Sequence, residues 1–232
     1  MTGQVELSLT GRVATITLNR PHRRNALSLD FATDIVNALT EAADADASIA
    51  VLRSSFSVFS AGVDLSEPIR LDESSPELLI AEALSTTHLF VITVIEGPAL
   101  AAALIIAALS PVVMVSPEAR FWLPERGIGI FPGRVLAFLE HVMPPRQAFW
   151  HSVTEDHIDA ATAVQLGLAS TMVADVEGAL ARLTGELVEA DPAFLSAARD
   201  GWRGRFTTPE HQARRRLLDG LLEANLSTRL DD

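Results

Sequence analysis

The alternation of apolar and polar positions divides the chain into short strands and amphipathic helices. Residues 5–9 (VELSL) and 13–18 (VATITL) alternate with a period of two, and Gly11 between them marks a hairpin turn. The period then lengthens. Over 29–43, Phe31, Ile35, Ala38, Leu39 and Ala42 recur at helical spacing, and Ser28 or Asp30 is placed to cap that helix. Mostly apolar runs at 49–53 (IAVLR) and 89–95 (LFVITVI) read as buried strands. Between them, 66–75 is polar and predicts a loop. Residues 76–86 predict a helix with Leu78, Leu79, Ala83 and Leu84 turned inward.

Residues 97–115 (GPALAAALIIAALSPVVMV) carry no charge. The pattern predicts a tight turn at Gly97-Pro98, an alanine-rich buried helix, and a strand over 112–115. An uncharged stretch of this length also suits a membrane span. However, Pro98 and Pro111 confine the helix to about a dozen residues. Basic flanks are missing as well. A buried helix in a folded domain, with no membrane span, is therefore expected.

Beyond it lie a turn at 116–120, a short apolar run at 121–123 and a loop at 124–133 punctuated by Gly and Pro. Helices are predicted over 135–142, 145–152 and 160–166, the last capped by Gly167. A short strand at 169–173 precedes helical stretches at 176–190 and 209–226. Strand and helix alternate early and helices dominate late, which predicts an α/β core over 1–175 and a helical region over 176–232.

Composition narrows the chemistry. With 232 residues, 48% of them hydrophobic, the chain can bury one sizeable core. A net charge of −12 argues against nucleic acid as a partner, because such binding rests on phosphate neutralisation. Cysteine is absent, which removes disulfides, thiolate metal sites and a thiol nucleophile. All 18 basic side chains are arginine, so no lysine can form a Schiff base or a P-loop. His141 and His157 have no metal-ligand spacing, and Ser54, Ser55 and Ser60 lack a GxSxG context. No secretory signal is visible at the N-terminus, so a cytoplasmic protein is expected.

Five segments carry a more specific signal: ITLNRPHRRNALS (16–28), FSAGVDL (59–65), VIEGPALAAALIIAA (94–108), ARFWLPERGIGIFPG (119–133) and IDAATAVQLGLAS (158–170). In this order and spacing they resemble the crotonase family, the enoyl-CoA hydratases and isomerases. The resemblance implies an α/β spiral of ββα turns whose C-terminal helices pack in a homotrimer or a dimer of trimers. It implies an acyl-CoA thioester as ligand, with coenzyme A as part of the substrate and no separate cofactor or metal. The backbone N–H groups of Val63 and Ala102 would form an oxyanion hole, and Arg23, Arg24 and Ala61 would meet the coenzyme A. The chemistry is general. Taking a proton α to a thioester, or adding a nucleophile at its β carbon, places negative charge on the carbonyl oxygen, which pre-aimed N–H donors stabilise.

Three departures set this chain apart from the family pattern. The glycine triplet that opens the buried helix is Ala101-Ala102-Ala103 here. Alanine resists positive φ, and its methyl keeps a ligand from the backbone. The helix glutamate of the hydratases is Ile105, while the later glutamate is present as Glu125. After Pro132, the run Gly133-Arg134-Val135-Leu136 supplies no carboxylate.

Each site residue also has a plainer reading. Glu125 serves as a general base or as a surface partner of Arg126. Asp64 caps the turn at Val63. Arg23 and Arg24 meet phosphates or stay solvated, and Arg214-Arg215-Arg216 reaches a neighbour's coenzyme A or, ahead of that, forms a solvated helix face balancing nearby acids. Hydration calls for two placed carboxylates, whereas one glutamate suffices for a 1,3-proton shift. Double-bond isomerisation by Glu125 is therefore expected ahead of hydration. The alternative is a non-catalytic acyl-CoA-binding or assembly protein of the same fold.

Overall fold

The structure is a computed structural model that describes residues 3–230 apart from 71, 73 and 155, with side chains described up to 227. The hairpin forms as the alternation predicts. Strands β1 (Val5–Thr10) and β2 (Val13–Leu18) pair antiparallel about Gly11, whose φ is 58°. Ala14, Ile16 and Leu18 point into the core. Strands β3 (Ile49–Ser54) and β4 (Phe90–Ile95) continue the sheet in parallel. Their apolar runs need cover on both faces. One face meets the main core. The other is covered by α7 (Val176–Val188) and α8 (Pro192–Arg203), with Val176, Ala179, Leu180 and Leu195 packed on Ile49, Val51, Ile92 and Val94.

Helix α8 was not expected from the apolar pattern. Asp191 caps it by accepting the Ala193 N–H, and Pro192 opens it. That pairing of cap and proline was the available signal.

Helix α1 (Leu29–Asp44) starts where Ser28 Oγ accepts the Phe31 N–H. It packs on α2 (Pro76–Thr86). The stripe on α2 differs from expectation. Leu78, Ile80, Ala81 and Leu84 are buried, whereas Leu79 and Ala83 are half-buried along a groove between α1 and α2. Helix α2 is pressed by α3 (Ala103–Leu109) as well as by α1, so its buried arc turns toward both.

The uncharged stretch departs most from expectation. Pro98–Leu100 forms strand β5, parallel to β7 (Arg120–Trp122), and β7 pairs antiparallel with β8 (Ile158–Asp159). Helix α3 therefore has 7 residues, shorter than the predicted helix. Ala101 stands at φ 53°, outside helical space, and its N–H donates to Trp122 O at 3.1 Å. At the other end Ser110 turns extended, its Oγ donates to Ile106 O at 2.8 Å, and Pro111 offers no N–H. All of α3 is buried.

Strands β6 (Val112–Val115) and β9 (Thr171–Met172) complete the large sheet, in the order β1-β2-β3-β4-β6-β9. Residues Pro124–Ile128 form a 3-10 turn, which leads to α4 (Gly133–Leu139), α5 (Pro145–Thr154) and α6 (Ala160–Leu166). Gly167 ends α6 at φ 85°, the left-handed cap the sequence predicts. Helix α9 (Pro209–Leu230) lies along α4. Among the described residues no helix is long and apolar enough to cross a membrane.

Candidate active site

A cavity of about 130 Å³ opens where the 61–70 segment, the first turns of α2 and α3, residues 124–135 and the end of α9 meet. Its geometry starts from the chain crossings beneath it. Leu27 N–H donates to Gly62 O at 2.7 Å, and Asp64 N–H donates to Leu27 O at 3.0 Å. These two bonds hold the backbone on either side of Val63. The Val63 N–H itself has no acceptor among the described residues. On the other side, Phe59 N–H donates to Pro98 O at 2.9 Å, and Leu100 N–H to Ser60 O at 2.9 Å. Segments 59–64 and 98–102 thus run side by side. The Ala102 N–H, at the start of α3, also has no acceptor among the described residues. Val63 and Ala102 both line the cavity.

Gly62 makes this approach feasible. Its φ is 83°, and a Cβ built there would stand 3.1 Å from Leu100 O and 3.6 Å from Ala102 N. A side chain at 62 would push the two N–H groups apart.

Two polar supports fix the turn. Asn25 is fully buried at φ 51°, a left-handed conformation that asparagine tolerates. Its Oδ1 accepts the Arg20 N–H at 2.8 Å, and its Nδ2 donates to Ser54 Oγ and Phe59 O, each at 3.0 Å. Asp64 accepts from the Ser66 hydroxyl at 2.6 Å and from Arg20 Nη1 at 2.8 Å. Burial pushes the Asp64 carboxyl upward, but the bonds from Ser66 and Arg20 outweigh it and hold the pKa at about 2. Asp64 is an anionic strut, as the capping reading anticipates. Arg20, its partner 44 positions away, was not foreseen from sequence.

Glu125 sits in the 3-10 turn, half-buried, with its side chain on the cavity wall and Oε2 buried. Its carbonyl accepts the Ile130 N–H at 2.8 Å, which shapes the loop. The turn places Glu125 in the same cavity as Val63 and Ala102. Ala61 also lines the cavity, and its N–H donates to Arg24 O at 3.0 Å. Arg23 and Arg24 are exposed and lie outside the cavity wall. Neither forms an ion pair among the described residues. Ile105 is buried in the main core and is not part of the wall. Arg214 pairs with Glu140 through two bonds, of 2.8 and 2.7 Å. His157 stacks on Trp122 with ring centres 4.3 Å apart. Among the described residues no cluster of His, Asp or Glu is arranged to hold a metal.

Sequence reading missed a charged group in the wall. Arg134 of α4 is buried against Glu77 of α2, and both line the cavity. The signal was present as a single charge inside each of two otherwise apolar helical runs, PELLIA (76–81) and GRVLAFL (133–139).

The model of the enoyl-CoA hydratase/isomerase family matches residues 9–228. The chain belongs to this family. Among its relatives, the 2,3-dehydroadipyl-CoA hydratase of Escherichia coli is 31% identical over 83% of this chain and 78% of its own. The hydroxycinnamoyl-CoA hydratase-lyase of Pseudomonas fluorescens is 27% identical over 86% of this chain and 78% of its own. An enoyl-CoA hydratase of Mycobacterium tuberculosis superposes with a TM-score of 0.82 at 25% identity, covering 97% of this chain and 96% of that one. An enoyl-CoA hydratase/isomerase of Pseudoalteromonas atlantica superposes at 0.84 and 22% identity, covering 96% of this chain and 91% of that one, a likeness of fold. The family member described here thus has the α/β crotonase fold that its sequence motifs imply.

Proposed function

We propose that this crotonase acts on an acyl-CoA thioester, with the thioester oxygen between the N–H groups of Val63 and Ala102 and with Glu125 as the proton carrier. The observation behind this reading is that two N–H groups without acceptors share one cavity wall with a carboxylate. Loss of an α proton to Glu125 leaves an enolate, whose oxygen the two donors stabilise in a largely apolar setting. Return of the proton at the γ carbon converts a 3-enoyl into a 2-enoyl thioester, with nothing gained or lost. Ile105 stands where hydratases of the family carry a second glutamate, and it cannot activate water. One-base isomerisation is therefore favoured over hydration. Arg23 and Arg24, exposed beside Ala61, are suited to the coenzyme A phosphates.

Assembly as a homotrimer or dimer of trimers is part of the same reading. Phe149, Trp150 and Val153 of α5 are exposed together, as are Leu217 and Leu221 of α9.

The deciding experiment incubates the protein with matched 3-enoyl-CoA and 2-enoyl-CoA thioesters and follows both products. Isomerisation that falls at least about a hundredfold in Glu125→Gln supports the assignment. Full activity in Glu125→Gln would remove Glu125 from the reaction. Tight thioester binding without turnover would instead favour a non-catalytic acyl-CoA-binding protein.

A further inference from the structure

The cavity wall carries a charged cluster that the proton transfer does not use. The Arg134 side chain, 5% exposed, is held by Glu77 Oε1 at 2.6 Å and by Asp219 Oδ1 of α9 at 3.0 Å. Arg134 Nη1 also donates to Ser75 Oγ at 3.0 Å. Burial disfavours the guanidinium charge, and the two carboxylates restore it. Asp219 is shared with Arg215, 3.9 Å from its other oxygen, so Glu77 is the carboxylate of the cluster that lines the cavity.

Glu77 is 8% exposed. One of its oxygens is taken by Arg134. The other, Oε2, is buried and has no hydrogen-bond partner among the described residues. A carboxylate oxygen is an acceptor only, so it calls for a donor. Ile69, Ile130, Phe131 and Val135 of the same wall have no donor side chain, and the guanidinium of Arg70, which also lines the cavity, makes no hydrogen bond to Oε2. The last torsion of a glutamate side chain is broad and two-fold. The carboxylate can therefore turn Oε2 toward the cavity while staying paired with Arg134.

We propose that Glu77 is a specificity-determining residue, which accepts a hydrogen bond from a hydroxyl on the acyl group of the bound thioester. The inference rests on the reading above that a thioester occupies this cavity. It separates three kinds of acyl terminus. A hydroxyl supplies the missing donor. A methyl leaves Oε2 unpaired. A carboxylate meets the like charge of Glu77 and finds Arg134 already paired twice.

The test is calorimetry on the full chain with short saturated acyl-CoA thioesters, matched in length and ending in hydroxyl, methyl or carboxylate. Saturated chains bind without turnover. At the best-fitting length the hydroxyl thioester is expected to bind about tenfold tighter than the methyl one, with the carboxylate weakest. In Glu77→Gln, which can still accept from Arg134 but presents an amide N–H₂ to the cavity, the penalty on the carboxylate should shrink at least about tenfold. Methyl binding as tightly as hydroxyl throughout the series overturns the inference and leaves acyl-CoA binding intact. So does an order of preference that Glu77→Gln leaves unchanged. Should that variant not fold, the wild-type ranking of the three termini decides alone. Failure of every thioester to bind overturns both the inference and the proposed function beneath it.

Discussion

Gly62 and Ala101 are in direct contact, and a Cβ built on Gly62 would stand 2.7 Å from the Cβ of Ala101. Both residues have positive φ, 83° for Gly62 and 53° for Ala101. The two turns that carry the Val63 and Ala102 N–H groups thus lean on each other, and the smaller residue makes room for the larger. Gly62→Ala adds a clash to backbone strain and is expected to destabilise by about 3 kcal/mol or more, measured by urea unfolding. Ala101→Gly removes the left-handed penalty of about 1–2 kcal/mol and gives back about 0.4–1 through the unfolded chain. Stability is expected to hold or rise by about 1 kcal/mol, with tighter thioester binding by calorimetry. In the double variant, part of the Gly62→Ala loss should be recovered.

Asn25 ties together the backbone of Arg20, the backbone of Phe59 and the Ser54 hydroxyl beneath the site. Asn25→Ala strands buried donors and acceptors and places alanine at φ 51°. A loss of roughly 3–5 kcal/mol is expected in denaturant unfolding, with cavity binding weakened in whatever fraction remains folded.

The Asp64–Arg20 pair sets an acid limit on stability. The folded pKa of Asp64, about 2, lies below its ordinary value of 3.8, so the unfolded chain binds the proton more readily. Its contribution of roughly 2 kcal/mol is fully present above about pH 4 and fades as pH falls toward 2. Asp64→Asn should lower stability at neutral pH, and the gap from wild type should narrow in that acid window. Unfolding curves at several pH values check this.

A second pH effect lies between α4 and α9. His211 Nδ1 stands 2.9 Å from His141 Nε2, packed among Phe138 and Phe206. Burial, helped by the neighbouring His141 and Arg215, lowers the His211 pKa to about 4. His141 is also lowered, by burial and Arg205 against the opposing pull of Glu140. A depressed histidine stabilises the fold when neutral. The stability it contributes is complete above about pH 6.5 and is lost on acidification toward 4, on the order of 3 kcal/mol. His211→Phe should flatten the decline of the melting temperature between pH 6.5 and pH 4.

Much of the scaffold was legible because local pattern and tertiary demand agree. Alternation over 13–18 gives β2, and Ser28 caps α1 where the helical spacing begins. The meeting of Val63 and Ala102 followed only from the motif resemblance, since no local rule joins positions 39 apart. The alanine triplet hid a backbone event. Ala101 takes a conformation that helix propensity argues against, because its N–H is claimed by Trp122 on the neighbouring strand. The Arg134–Glu77 and Arg20–Asp64 pairs were illegible for a related reason. Charges far apart in sequence are paired by the fold, 44 positions apart for Arg20 and Asp64 and 57 for Glu77 and Arg134.

Leu222 and Leu226 bring α9 into the cavity wall, and Asn225 between them accepts the Phe131 N–H at 2.9 Å. A molecule filling the cavity therefore acts as a clasp on the C-terminal helix. By mass action, at a hundred times its dissociation constant such a ligand adds about 2.7 kcal/mol against every opening that lifts α9 away. The vulnerability of this helix to proteases thus becomes a gauge of cavity occupancy, readable on a gel without any assay of chemistry.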